Sequence, residues 1–132
     1  MGLDCYASIY SDRIFITPEM EAKFDKSFYD GSSFRGTTID IIINAVTNYS
    51  LRYVGSSSVK GIYDELSQFL EKNKEKLEKE FNDKDEIDIR HYVDHYYPDQ
   101  GYRYFIDSDR LYGVLNFFKV CHENNLYVIS DY

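Results

Sequence analysis

GSSFRGTTIDIIINAVTNYSL, residues Gly31 to Leu51, is the stretch on which the fold turns. Read as a helix, it makes the chain a mixed domain; read as a strand, it makes it β-rich. From Thr37 onward, Ile39, Ile42, Ile43 and Val46 recur at helical spacing and share one face. Ile41 and Ala45 widen that face, so the helix is expected to be well buried. Its β-branched residues lose side-chain freedom in a helix, which keeps a strand in competition. The spacing decides for a helix ending near Asn48, preceded by a Gly-, Ser- and Asp-rich loop from Asp25 to Gly36.

Toward the N-terminus, Leu3 to Ile9 alternates in part between apolar and polar residues. Ser11-Asp12 marks a turn and Arg13 to Ile16 is β-like, so these segments read as a hairpin. Thr17-Pro18-Glu19 starts a short helix running to about Phe24, with threonine as cap and proline at the first helical position.

Toward the C-terminus, Leu51 to Val54 reads as a short strand, and Gly55 to Ser58 as a loop whose serine caps the next helix. That helix carries a stripe of Val59, Ile62, Tyr63, Leu66, Phe69, Leu70, Leu77 and Phe81, interrupted at Asn73. Its Lys/Glu face, EKNKEKLEKE, is an ordinary solvated surface. Ile89, Tyr92, Val93 and Tyr96 suggest a helical piece ending before Pro98, and Asp99-Gln100-Gly101 a turn. Asp107 or Ser108 caps a last helix with Leu111, Leu115, Phe118 and Cys121 or His122 inward. Asn124-Asn125 stops it, and Leu126 to Ser130 forms a final strand. No repeat or long linker divides residues 1–132, so a single domain is expected. The expected class is α+β: a small sheet from an N-terminal hairpin and the C-terminal strand, packed by helices from the middle of the chain.

The net charge is −8, which opposes direct binding to nucleic acid and suits a partner with a basic surface. The longest apolar run is too short to span a bilayer, and Asp4 interrupts the first apolar residues, so neither a membrane span nor a secretory signal is read. Cys5 and Cys121 are expected as buried, reduced thiols, and the chain as cytoplasmic with no cofactor. Exposed edges of a small sheet leave a homodimer open.

Tyrosine is used 14 times, and it suits surfaces that meet a partner because it joins an apolar body to a polar tip. Asp83 to Asp109 concentrates the pattern: eight acidic residues stand against Lys84, Arg90 and Arg103, interleaved with Tyr92, Tyr96, Tyr97, Tyr102 and Tyr104. Carboxylates so spaced can stand in for DNA phosphates in a basic groove. The expected partner-binding residues are Asp85, Glu86, Asp88, Asp94, Tyr96, Tyr97 and Asp99. Reversing Asp88 and Asp94 to Lys is then expected to abolish binding with the fold intact.

Two other constellations compete. Ser32, Ser33, Arg35 and Thr37 line the loop before a helix N-terminus, where backbone amides and a guanidinium suit a small anion such as a signalling nucleotide. The pattern is neither a Walker loop nor a dinucleotide fingerprint. His91 and His95 stand at i and i+4, ligand spacing for zinc or nickel on a helix and the basis of a metal-dependent hydrolase reading. Cys121 and His122 are sequence neighbours, which on a helix point apart, so no nucleophile–base pair is read.

The opening Met-Gly-Leu-Asp-x-Tyr, the block SSFRGTTIDIIINAVTNYSL and the ending LNFFKVCHENNLYVISDY resemble a scattered group of small uncharacterised proteins of bacteriophages, prophages and low-GC bacteria. The resemblance covers the two ends and the first third. It implies a mobile-element origin, and by analogy an inhibitor of host defence such as an anti-CRISPR protein. It carries no catalytic residue.

Overall fold

The first strand, β1 (Asp4–Ser8), is the centre of the sheet. A computed structural model describes residues 3–10, 16–53 and 56–131. Along β1 and the residue before it, Leu3, Cys5 and Ala7 are buried while Asp4 is exposed, the alternation that defines a half-buried strand. β2 (Ser33–Arg35) pairs antiparallel on one side of β1, and β5 (Tyr127–Asp131) antiparallel on the other, with Cys5 opposite both Phe34 and Ser130. The sheet is thus built from both ends of the chain, as expected. Its second N-terminal strand comes from the segment read as a loop, because Gly31, at φ +82°, turns the chain back onto β1. Residues 11–15 of the expected hairpin lie outside the described residues, and Ile16 is not in a strand.

Thr17 caps α1 (Pro18–Glu21) by accepting from the Met20 amide at 3.3 Å, although the helix stops short of Phe24. The deciding stretch is a helix: α2 (Gly36–Val46) buries Ile39, Ile42 and Ile43 completely. Burial along the stripe outweighs the modest propensity cost of β-branching. After α2, Leu51–Tyr53 is a 3-10 helix and not the expected strand. The cause is Asp40 on α2, whose Oδ1 accepts from the Leu51 amide at 2.8 Å and from the Ser50 hydroxyl at 3.2 Å, folding the chain back.

The long apolar stripe is carried by two helices, α3 (Ser56–Lys72) and α4 (Lys74–Asp83). They part at Asn73, whose side-chain amide donates to the Phe69 carbonyl at 2.9 Å and competes with the helix. The serines expected as a loop and cap open α3 as its first turn.

The helical piece expected at Ile89 to Tyr96 is cut to a single 3-10 helix ending at Tyr92. The chain forms β3 (Glu86–Asp88), a 3-10 helix over Ile89–Tyr92, and an irregular segment that starts at the extended Val93. Asp88 accepts from the Arg90 amide at 3.0 Å, which turns the chain after only one short strand. The expected turn at Asp99 to Gly101 lies within a third 3-10 helix, Pro98–Tyr104, leading into β4 (Phe105–Asp107). β3 and β4 pair antiparallel with Ile87 opposite Ile106, both buried.

Asp107 caps α5 (Ser108–Glu123) by accepting from the Arg110 amide at 3.2 Å. Leu111, Phe118 and Cys121 face inward as expected, joined by Val114 and Phe117, while Leu115 and His122 are only half-buried. Asn124 and Asn125, the latter at φ 53°, end the helix. α3 packs on α5, and an aromatic cluster seals the sheet against α5. Phe117 meets Phe34 and Phe118 edge-on at 4.9 and 5.3 Å, and Phe24 at a tilt at 5.5 Å. Gly113 admits Phe28 to this cluster, since a methyl there would stand 2.8 Å from the ring Cγ.

Two buried-edge carboxylates set the acid limit of the fold. Burial pushes the Asp88 and Asp107 carboxyls up, but hydrogen bonds from Arg90 and Arg110 outweigh it and hold both below the usual range. A carboxyl depressed in the folded state contributes stability above its unfolded pKa, about 3.9 for Asp, and that stability is lost as pH falls through the folded value. Melting temperature is therefore expected to drop steeply once pH falls below about 4, and Asp88→Asn to show a shallower decline. Thermal melts of both proteins across that range check this; parallel curves would contradict it.

Candidate functional site

The acidic, tyrosine-rich stretch divides into carboxylates held by arginines and carboxylates left to solvent. Asp88 is 8% exposed, and Arg90 grips it with Nε at 2.9 Å from Oδ1 and Nη2 at 2.6 Å from Oδ2. It is a structural clamp and not a partner-facing carboxylate, so its reversal to Lys would strike the fold as well as any surface. Glu86 is exposed but pairs with Arg110 Nη2 at 3.1 Å, and the same guanidinium bonds Asp107. Asp85, Asp94 and Asp99 are exposed and make no ion pair among the described residues.

The tyrosines divide in the same way. The Tyr92 hydroxyl donates to Glu80 Oε1 at 2.5 Å, with Lys76 Nζ 4.4 Å from the ring centre. Burial first, and then Glu80, push that phenol well above its ordinary pKa. Tyr96 and Tyr97 are 45% and 59% exposed. Beneath them sits Tyr104, 1% exposed, whose hydroxyl accepts from the Tyr97 amide at 2.8 Å and whose ring meets Tyr96 edge-on at 6.0 Å. The Arg90 guanidinium lies 5.8 Å from the centre of the Tyr96 ring. The segment between the 3-10 helices Ile89–Tyr92 and Pro98–Tyr104 is irregular, yet it is seated on a buried ring. Tyr104 belonged to the acidic stretch in the sequence, but nothing in its spacing marked it as the seat.

The loop at Gly31 to Gly36 is not an open cradle. Ser33–Arg35 is strand β2, the Ser32 carbonyl accepts from the Ala7 amide at 2.8 Å, and the Gly36 amide donates to the Leu3 carbonyl at 2.5 Å. Thr37 Oγ1 accepts from the Leu3 amide at 3.1 Å. Arg35 points to Asp4 at 3.5 Å, in a hollow that also holds Asp30 and Asp131, so carboxylates prevail around it. Phe34 plugs the core at 2% exposure.

His91 and His95 do not share a helical face. His91 lies in the 3-10 helix, which ends at Tyr92 with Val93 extended, so His95 lies outside it. No group of three His, Cys, Asp or Glu among the described residues is placed to hold a metal ion. Cys5 and Cys121 are free and buried, and burial pushes the Cys5 thiol up to about 12 and Cys121 upward as well, so neither is a ready nucleophile. His122 stacks on Tyr63 at 5.7 Å.

Two further concavities stand out among the described residues. A groove of about 590 Å³ runs between α3, α4 and α5, walled by Leu70, Phe81, Tyr112 and Leu115. A polar cleft lies between α2 and the Pro98–Tyr104 turn, with Arg52 and Arg103 on one side of Tyr97 and His95 on the other. Its residues come from separate elements, so no sequence window displayed them together.

No helix among the described residues is long and apolar enough to cross a membrane. What fold and surface define is an α+β domain that presents two seated tyrosines among unpaired carboxylates. No protein-family model matches the chain, and neither a curated protein nor a solved structure matches it.

Proposed function

We propose that the protein is a non-enzymatic, phage-type binding protein that inhibits a host defence or nucleic-acid-handling protein, as anti-CRISPR proteins and DNA mimics do. The observation that carries this reading is the seat of Tyr96 and Tyr97 on Tyr104, with Asp94 and Asp99 unpaired on either side in sequence. Exposed aromatic rings supply contact area, and holding them in place beforehand reduces the ordering cost of binding. Unpaired carboxylates add attraction to a basic partner and set its orientation. The net charge of −8 supports the same partner chemistry.

The test is a pull-down of tagged protein from a host-like lysate at low and high salt, with DNA as competitor. The expected capture is a basic nucleic-acid-binding protein, released by salt or by DNA. The double variant Asp94→Lys/Asp99→Lys is expected to weaken that capture by about tenfold or more while melting like the parent protein. Both positions are exposed and outside the clamps, so the fold is not at stake. Undiminished capture by the folded double variant would overturn the reading.

A further inference from the structure

The apolar stripe of α3 and α4 is not consumed by the core. α3 lies against α5, whereas α4, past the break at Asn73, stands further off. Phe81 on α4 meets Tyr112 on α5 with 6.5 Å between ring centres. Between the three helices the groove of about 590 Å³ stays open, with Leu70, Phe81, Tyr112 and Leu115 as its apolar walls. Leu115 has the spacing of an inward residue, yet it is only half-buried because it borders this space. Sites for small molecules usually occupy about 300–1,000 Å³ and join apolar walls to a few polar groups, so the groove has both the size and the character of one.

Its rim carries Glu71, Lys74 and Glu78. All three are exposed, and none is held in an ion pair among the described residues. Two carboxylates against one ammonium leave this rim with an excess of negative charge, and the chain as a whole carries −8. Burial first, and then the charge of Glu78, push the Tyr112 phenol upward, so that carboxylate and that ring border the same space. A cation is the group that both favour: the carboxylate pairs with it, and the face of an aromatic ring attracts it.

We propose that this groove binds a small apolar amine, with its hydrocarbon body among Leu70, Phe81, Tyr112 and Leu115 and its ammonium beside Glu78. An apolar acid is disfavoured, because its carboxylate would enter the negative field of the rim. An apolar alcohol fills the same walls but gains no charge pairing. A helix of a partner protein is a poorer fit. The exposed Glu and Lys of α4 bound the groove, so apolar surface stops at the rim, whereas a stable protein interface covers about 800 Å² on each side.

No residue of the groove belongs to the tyrosine face or its carboxylates, so this inference stands apart from the proposed partner binding. The experiment is calorimetric titration of the full chain with octylammonium, octanol, octanoate and ethylammonium. Octylammonium is expected to bind in the submillimolar range, octanol about threefold or more weaker, and octanoate about tenfold or more weaker. Ethylammonium, the same head without the body, is expected not to bind up to about 5 mM. Glu78→Gln is expected to weaken octylammonium by about threefold and to leave octanol unchanged, while Tyr112→Ala weakens both. Glu78 is exposed, so Glu78→Gln is expected to melt like the parent and carries the test even if Tyr112→Ala folds poorly. No saturable binding of octylammonium up to about 5 mM would overturn the proposal. So would octanol, octanoate or ethylammonium binding as tightly as octylammonium, or undiminished octylammonium binding by folded Glu78→Gln.

Discussion

Phe117→Ala is expected to lower the unfolding free energy by about 3–5 kcal/mol, the usual range for emptying a buried aromatic site. Phe117 is 1% exposed, and its ring contacts Phe24, Phe34 and Phe118. These neighbours come from the loop after α1, from β2 and from α5 itself, so none moves into the space without distorting its own element. A domain of this size holds about 5–15 kcal/mol in all, and the loss is a large share of it. Urea unfolding checks the value. A loss below about 1.5 kcal/mol would show that the cluster relaxes into the gap and that the sheet is not sealed to α5 by packing.

Tyr104→Ala is expected to have a stability effect of similar size, about 3–5 kcal/mol, and an effect on partner capture that Phe117→Ala lacks. Tyr104 is 1% exposed, and its loss removes both the ring under Tyr96 and the acceptor of the Tyr97 amide. Tyr104→Phe separates the two roles. It keeps the ring and removes one hydrogen bond, so stability falls by about 1–2 kcal/mol while the Tyr97 backbone loses its anchor. Reduced partner capture by folded Tyr104→Phe is the expected result. Full capture would mean that Tyr96 and Tyr97 need no fixed backbone to act.

The longer helices were legible in the sequence because each repeats its signal over several turns, and α1 because Thr17-Pro18 marks its start. Ile39, Ile42 and Ile43 on α2, the stripe from Val59 to Phe81, and the stop at Asn124-Asn125 show at fixed spacing or in fixed chemistry. β2, β3 and β4 were not legible, since strands of three residues carry no period and exist through partners elsewhere in the chain. Ile87 reads as a strand residue only once Ile106 faces it. The candidate surface was half legible. Asp94, Tyr96, Tyr97 and Asp99 stood out by composition and are exposed, whereas Asp88 looked the same in sequence and is clamped by Arg90. Burial of a single carboxylate depends on tertiary placement, which composition does not encode.

The central position of β1 also governs how this chain comes into being. Cys5 and Ser130 face each other across 125 residues, so the middle strand of the sheet is made long before one of its two neighbours. During synthesis β1 has only β2 to pair with, and a lone two-stranded ribbon is marginal in water. The nascent chain thus carries an unpaired strand edge until the last turn of α5 and β5 have left the ribosome. Vectorial folding is denied to the sheet, and its closure must await a contact of long sequence separation, the slow kind. That interval exposes Leu3, Cys5 and Ala7, residues the finished protein buries, and it is when the polypeptide most needs a chaperone's cover.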